Sequence, residues 1–359
     1  MKHCYNCGIL LTDDNASEEH IIPNACGGRL TSKKLLCKSC NSKFGNSYDA
    51  ELLKELKLFS VLLNVRRDRG THQPVVRSDG CIALPAKGKP YLLKPIEIYG
   101  EENGRKTVRI QADNPKQIRN ILGKMRHEGK INLSDAEIED YIANLTITEE
   151  PSPPLPINGT IGQGNSNRAI AKIALNFYAM HHDNIIGLDD VLAFVNGNNN
   201  RSLSNIYYPS TPPLSISNDI VSHIIYLAGN PNTKLLYCYI ELFNVQCYLV
   251  VLSEKYSGPQ FRKVYEYDLI SGKEISETRN DVFDLTHESM ALKPSGDNFH
   301  MRFNRFMGIH MDLKKLLPLI DQAIDEFTKS FPNEIEIIKK QRSQIFSELR
   351  KKLRNTSAQ

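Results

Sequence analysis

The sequence has few cysteines, little net charge and no long apolar run. Eight cysteines in 359 residues are too few for a disulfide-rich secreted protein. No apolar stretch approaches the length of a membrane span, and the first residues show no apolar signal-peptide core. Lys and Arg total 45 against 41 Asp and Glu, a net charge of +4, so any basic surface must be local. We expect a soluble, cytoplasmic protein with no membrane association.

The sequence after residue 75 also lacks two common catalytic motifs. It contains no Gly-rich phosphate-binding loop and no Gly-x-Ser-x-Gly elbow. Its composition, 40% hydrophobic and 24% charged residues, is that of an ordinary globular protein long enough for two or three domains. Any chemistry that the sequence reveals therefore has to come from the N-terminal region.

Composition divides the chain into four predicted segments. Residues 1–75 hold two Cys-x-x-Cys pairs and end in a Leu-rich helical pattern. Residues 76–150 predict a β-hairpin followed by helices, and residues 151–167 predict a linker or long loop because prolines and glycines concentrate there. Residues 168–359 predict a mixed domain of helices and strands that ends in a basic amphipathic helix.

The two cysteine pairs, Cys4/Cys7 and Cys37/Cys40, have the spacing of two zinc knuckles. Each pair offers two thiolates from one tight turn, so four sulfurs can meet in a tetrahedron. Such a site has no open position for a substrate, and we expect a structural Zn²⁺. The alternative is four unrelated buried cysteines, or one redox pair.

The sequence between the knuckles carries a second pattern. Glu19-His20-Ile21-Ile22-Pro23 is followed by Gly27-Gly28, and then by a Leu-Cys-x-x-Cys-Asn segment that ends at Asn41. In this order and spacing the sequence resembles the HNH endonucleases, specifically the zinc-knuckle group of the ββα-metal nucleases. The resemblance covers about residues 1–65 of the 359.

The resemblance implies a role for each matching residue. His20 would be the general base that activates water for attack on a phosphodiester, a task suited to the near-neutral pKa typical of histidine. Glu19 would bind a catalytic Mg²⁺ or Mn²⁺, and Asn41 would be a ligand or contact of that metal. Positive charge for phosphate positioning would come from neighbouring lysines, namely Lys33, Lys34, Lys38 and Lys43.

Together these features predict an α+β protein. A small N-terminal ββα-metal HNH domain with a Cys4 zinc site would be joined to a larger, mixed α/β C-terminal domain that selects or senses the target. The resemblance implies metal-dependent hydrolysis of DNA, with RNA not excluded. Bacterial restriction or phage defence is the setting that we favour by analogy alone. A homodimer and a small-molecule or protein activator are further expected possibilities.

Three positions leave alternatives open. Many family members place an Asn where this sequence has Ser32, so either Ser32 or a backbone carbonyl orients His20, or the segment before Cys37 aligns differently. Asn41 has a helix N-cap role as its alternative. For Asp49 we favour capping of the Leu-rich helix over a metal role.

The function also has two rivals. One is a zinc-knuckle nucleic-acid-binding module without activity, and the other is a nuclease gated by a ligand. From Lys339 to Arg354, seven basic residues meet one acidic residue, which suits either a packed amphipathic helix or a contact with the DNA backbone.

Overall fold

The computed structural model describes residues 2–87, 89–102, 105–145, 162, 165–182, 185, 187–199, 201–330, 345–346 and 348–350. Contacts divide the chain into two units: Met1–Gly70 together with Thr160–Gln359, and Thr71–Gly159. Helices and strands occur in both units. The predicted mixed class is confirmed, with the cysteine cluster in the N-terminal region and a larger mixed region after it. The finer division into four segments stays a prediction.

The secondary structure of the described residues is as follows. In chain order the strands are β1 (Glu19–His20), β2 (Thr31–Ser32), β3 (Val75–Val76), β4 (Ile82–Leu84), β5 (Tyr91–Leu92), β6 (Ile96–Glu102), β7 (Arg105–Gln111), β8 (Ser204–Ile206), β9 (Ser222–Asn230), β10 (Leu235–Leu242), β11 (Gln246–Ser253), β12 (Phe261–Asp268) and β13 (Lys273–Glu274). The helices are α1 (Lys38–Phe44), α2 (Ala50–Glu55), α3 (Lys57–Leu62), α4 (Pro115–His127), α5 (Asp135–Ala143), α6 (Asn165–His181), α7 (Asp189–Val195), α8 (His287–Met290) and α9 (Gly296–Ser330).

Strands β1 and β2 form a short antiparallel hairpin, in which Glu19 lies opposite Ser32 and His20 opposite Thr31. Two glycines make the loop between these strands possible. Gly27 has a φ of +99°, which side chains rarely adopt, and a Cβ at Gly28 would lie 1.8 Å from the carbonyl oxygen of Ile22. The Gly-Gly pair is therefore a steric requirement of this hairpin.

Helix α1 starts directly after Cys37 and continues through a π-helical turn at Gly45–Asp49 into α2 and α3. The Leu-rich pattern predicts a helix from Asp49 to about Asn64, and the structure confirms that this segment is helical. It is divided at Leu56, and Leu52, Leu56 and Phe59 form its buried face. This buried face gives the N-terminal region a hydrophobic side that must be covered.

The first unit is centred on a six-stranded antiparallel sheet with the order β13-β12-β9-β10-β11-β8. Helix α6 contacts β9, β10 and β11 of this sheet and also contacts α2. Its residues 169–177 are all buried, and the apolar ones share one hydrophobic core with Ile21, Leu52 and the sheet. The hairpin and the sheet are therefore parts of one packed body.

The second unit contains a three-stranded sheet of order β3-β4-β5, the β6–β7 hairpin and two helices. The sequence Ser134 to Glu137 predicts a capping box, and the two residues form it at the start of α5. The sequence also predicts one strand over Tyr91–Tyr99, but the structure divides it into β5 and β6, with Pro95, which lacks a backbone N–H, lying between them.

The C-terminal region differs in part from what its sequence pattern predicts. The pattern predicts a helix at Asp312–Ser330, which is the second half of the longer α9, and it does not predict β9. The predicted linker at 151–167 falls mostly outside the described residues. The basic helix predicted from Lys339 to Arg354 also falls largely outside them.

Candidate active site

The four knuckle cysteines come together at one point. The Sγ atoms of Cys4, Cys7, Cys37 and Cys40 all lie within 4.8 Å of one another, and those of Cys7 and Cys37 are 3.8 Å apart. Gly8, with a φ of +74°, donates its N–H to the carbonyl of Cys4 and closes the first knuckle. Cys37 stands at the N-cap of α1 and Cys40 lies in its first turn, which directs the second pair to the same point.

The chemistry of this cluster fits a structural metal. Four thiol groups and no open position are the ligand set of a closed tetrahedral zinc site. Three of the cysteines are buried, and the amide of Asn6 donates to the Sγ of Cys40 at 3.2 Å. The four cysteines could therefore bind a structural metal such as zinc, and they would join the first knuckle to helix α1.

Glu19 and His20 are neighbours on β1, so their side chains face opposite sides of the strand. Glu19 faces the interior, and the residue is 2% exposed. The ammonium of Lys172 on α6 lies 2.8 Å from Glu19 Oε1, and Asn176 one turn later donates to the same oxygen at 2.9 Å. Tyr5 in turn donates its hydroxyl hydrogen to Asn176 Oδ1 at 2.6 Å. Glu19 is therefore held by an ion pair and a hydrogen bond to helix α6 of the C-terminal region.

Lys172 also binds Asp49, at 2.6 Å from Asp49 Oδ2. Asp49 makes no capping hydrogen bond to α2, so the favoured capping role is wrong. Burial acts to lower the pKa of Lys172, but the carboxylates of Asp49 and Glu19 outweigh it and raise that pKa above its ordinary value. Burial raises the pKa of Glu19, with Lys172 opposing that effect. Lys172 is thus a buried cation between two acidic side chains.

This arrangement bears on the catalytic metal expected from the resemblance. In the part of the chain that the structure describes, the four cysteines form the one group of three or more His, Cys, Asp or Glu side chains close enough to hold an ion. Glu19 fits a buried ion pair and does not fit an open Mg²⁺ site, which needs oxygen ligands accessible to water. The family resemblance remains the only support for Glu19 as a metal ligand.

His20 faces the other side of β1, and its side chain is 27% exposed. Its Nε2 lies 3.7 Å from Oδ2 of Asp68, in the segment that follows α3. Arg29 donates to Asp68 Oδ1 at 2.6 Å and Asn24 donates to Asp68 Oδ2 at 2.7 Å. The hydrogen bond from Arg29 holds the pKa of Asp68 below its ordinary value, so this carboxylate is ionised at neutral pH. The predicted base is thus accessible and has an acidic neighbour.

No feature of the sequence pointed to Asp68 as the neighbour of His20. Residues 66–70 mark only a predicted boundary, because Arg66-Arg67-Asp68-Arg69-Gly70 breaks the helical pattern. The partners of Asp68 are 39 and 44 residues away along the chain, so the contact depends on how the hairpin folds against that segment.

Asn41 lies inside α1, which begins at Lys38 with Cys37 as its N-cap, so the N-cap alternative for Asn41 is wrong. Its amide donates to Ser17 Oγ at 2.6 Å and ties α1 to the residues before β1. Ser32 lies opposite Glu19, and its Oγ accepts the backbone N–H of Lys34 at 3.2 Å. In the pairing of β1 with β2, Ser32 therefore lies opposite Glu19 and not opposite His20.

The predicted phosphate-binding lysines are all exposed, as contact with a nucleic acid would require: Lys33, Lys34, Lys38 and Lys43. Lys38 also donates to the backbone carbonyl of Asp14 at 2.7 Å.

Residues 4–57 match the family model of the HNH endonucleases. This HNH region begins at the first zinc-knuckle cysteine and ends within α3, so the predicted resemblance is confirmed for less than a sixth of the chain. The comparisons with curated proteins and with solved structures give no match.

The HNH region suggests a nuclease, and a nuclease implies a nucleic acid as substrate. Within the described residues, no helix combines the length and the apolar character needed to cross a membrane.

Proposed function

We propose that the protein is an endonuclease that hydrolyses phosphodiester bonds in DNA, with His20 as the general base. The observation that carries this proposal is the position of His20. In the HNH region, the register of β1 turns Glu19 into the core and leaves the imidazole of His20 accessible to solvent. A general base must reach both water and substrate, and an imidazole can exchange a proton near neutral pH.

In the proposed reaction the imidazole of His20 accepts a proton from water. The water oxygen attacks phosphorus, the bond from phosphorus to the leaving oxygen breaks, and that oxygen takes up a proton from solvent. The 5′-phosphate and 3′-hydroxyl ends follow from the family resemblance. Lys33 and Lys34, which are exposed and directly follow β2, would bind backbone phosphates, the contacts that supply most of a protein's affinity for DNA.

The cysteine cluster would have a structural part in this reaction. A Zn²⁺ bound by Cys4, Cys7, Cys37 and Cys40 would fix the first knuckle against α1 and so hold the ends of the hairpin segment. A requirement for Mg²⁺ or Mn²⁺ in cleavage is a further prediction, which follows from the family resemblance.

We further propose that residues outside the HNH region choose or sense the target. Restriction or phage defence in the cytoplasm is the setting that this combination favours by analogy. A homodimer, or an activating small molecule or protein, would be consistent with a large region beyond the nuclease. Incubation of the protein with a labelled RNA would show whether RNA is also a substrate.

The deciding experiment is nicking of supercoiled plasmid by the zinc-loaded protein, with and without Mg²⁺ or Mn²⁺. His20→Ala should lower the rate by about 10²–10⁴-fold, the usual contribution of a general base, while DNA binding and zinc content remain. His300→Ala, which changes an exposed histidine on α9, is the matched control and should cut normally. Wild-type cleavage by His20→Ala would refute the proposal. DNA binding without cleavage by the wild type would favour the inactive binding module.

A further inference from the structure

The side chain of Asp68 is the acidic group that faces His20. Its Oδ2 lies 3.7 Å from His20 Nε2, and the two residues are separated by the whole of α1, α2 and α3 in sequence. The distance is longer than a hydrogen bond. Hydrogen bonds between catalytic groups are often long before substrate binds and shorten in the complex.

The position of Asp68 is fixed without any contribution from His20. Asn24 makes two hydrogen bonds with it, because its amide donates to Asp68 Oδ2 at 2.7 Å and its Oδ1 accepts the Asp68 N–H at 3.0 Å. Arg29 donates to Asp68 Oδ1 at 2.6 Å and to the carbonyl of Arg66 at 2.5 Å. Both residues belong to the loop between β1 and β2, so the hairpin that carries His20 also holds the carboxylate beside it.

We propose that Asp68 is a positioning residue for His20. Its carboxylate would accept the Nε2–H of the neutral imidazole, which fixes the tautomer and leaves Nδ1 free to take the proton from water. A buried or fixed carboxylate plays this part for the base histidine of serine proteases. The inference rests on the proposed function, and it adds a residue outside the 4–57 match.

The alternative is a purely structural role, in which Asp68 only pairs with Arg29 and closes the loop. The two roles differ in whether the negative charge of Asp68 acts on His20. Asp68→Asn keeps the size of the side chain and an oxygen for Arg29 or Asn24, but it removes the charge next to His20. Asp68→Glu keeps the charge. Asp135→Asn is the matched control, since Asp135 also lies 2.6 Å from an arginine, Arg126, and is exposed in the second unit.

The kinetic test compares these variants with the wild type on plasmid DNA. Asp68→Asn should lower kcat by about 10–100-fold, a part of what the general base contributes, with KM for DNA, zinc content and Tm nearly unchanged. Asp68→Glu should recover part of the lost kcat, and Asp135→Asn should behave as the wild type. A wild-type kcat for Asp68→Asn would overturn the proposal, as would a loss that follows a fall in Tm and that Asp68→Glu does not restore.

A second readout does not depend on cleavage. In protein labelled with ¹⁵N in histidine, the ring nitrogens of His20, assigned by comparison with His20→Ala, should show the Nε2–H tautomer in the wild type. The tautomer ratio should change in Asp68→Asn and not in Asp135→Asn. An unchanged ratio in Asp68→Asn would overturn the proposal even if the enzyme is active. If the wild type cleaves no nucleic acid, the proposed function fails and this spectrum still decides whether Asp68 orients His20.

Discussion

The ammonium of Lys172 lies 2.8 Å from the carboxylate of Glu19 and connects the middle of helix α6 to the strand that carries His20. Lys172 is 1% exposed, and the same ammonium binds Asp49. A buried charge of this kind persists only when it is paired, because its transfer from water costs several kcal/mol. The position of the candidate base is therefore coupled to a helix far away in sequence.

Replacement of Lys172 tests this coupling. Lys172→Met should lower the free energy of unfolding by about 3–5 kcal/mol, because it leaves the buried carboxylate of Glu19 and the partly buried carboxylate of Asp49 without their cation. Lys54→Met is the control, since Lys54 pairs with Glu51 on the surface and such pairs contribute at most about 1 kcal/mol. Urea unfolding of both variants gives the comparison. Equal stability of the two would show that the buried pair does not anchor β1.

Some of this site could be predicted from local sequence, and some could not. The cysteine pairs, the His20 hairpin and the Ser134 capping box each depend on residues within a few positions of one another. The Lys172 network does not, because its members Asn176 and Glu19 are 157 residues apart. The one local signal was a lysine within the otherwise apolar stretch of 169–175.

Similarly, the segment that follows α3 looked like a boundary because it is charged and ends in glycine. The charge of Asp68 in this segment is explained only by its partners in the hairpin loop, Asn24 and Arg29. Strand β9 was missed for another reason. It is buried on both faces and so lacks the alternation of polar and apolar residues that marks a half-exposed strand.

Metal removal tests the cysteine cluster. We expect about one zinc per chain, since four thiolates complete one tetrahedral site. Cys40→Ser should lose this zinc and lower Tm, and a strong chelator should do the same to the wild type. Cys81→Ser is the control and should keep its zinc, because Cys81 lies outside the cluster. Elemental analysis that finds full zinc in Cys40→Ser, or none in a folded wild type, would contradict the assignment.

Acidification should destabilise the contact between His223 and the hairpin loop. His223 Nδ1 accepts the N–H of Phe243 at 3.2 Å, so Nε2 carries the hydrogen that is donated to the carbonyl of Cys26 at 2.9 Å. Burial lowers the pKa of His223 from 6.5 to about 4. The unfolded chain therefore binds a proton more readily than the folded one, and the stability present above pH 6.5 is lost as the pH falls toward 4.

This effect should amount to about 2 kcal/mol between pH 7 and pH 5, from roughly 1.4 kcal/mol per pKa unit. His223→Gln cannot take up the proton and should lose correspondingly less stability over that range, although it is less stable at pH 7. Urea midpoints at the two pH values provide the measurement. Parallel pH dependence in variant and wild type would assign the acid sensitivity to other groups.

The last prediction concerns the HNH region as an isolated fragment. In the full chain, the ring of Phe59 stacks on Phe243 at 5.6 Å and meets the edge of Phe306 at 5.0 Å, and Glu19 depends on Lys172. Residues 1–75 alone would expose Phe59 and leave Glu19 unpaired, so we expect no cooperative thermal unfolding and little protection of α2 and α3 from hydrogen exchange. A chain in which a Gly/Ser linker replaces residues 71–159 keeps the whole first unit. This linker variant should retain cooperative thermal unfolding and the protection of α2 and α3.

The fragment should also cut DNA poorly, whereas the linker variant should keep nuclease activity. Full-chain protection of α2 and α3 in the isolated fragment would show that the HNH region folds independently of α6 and the sheet.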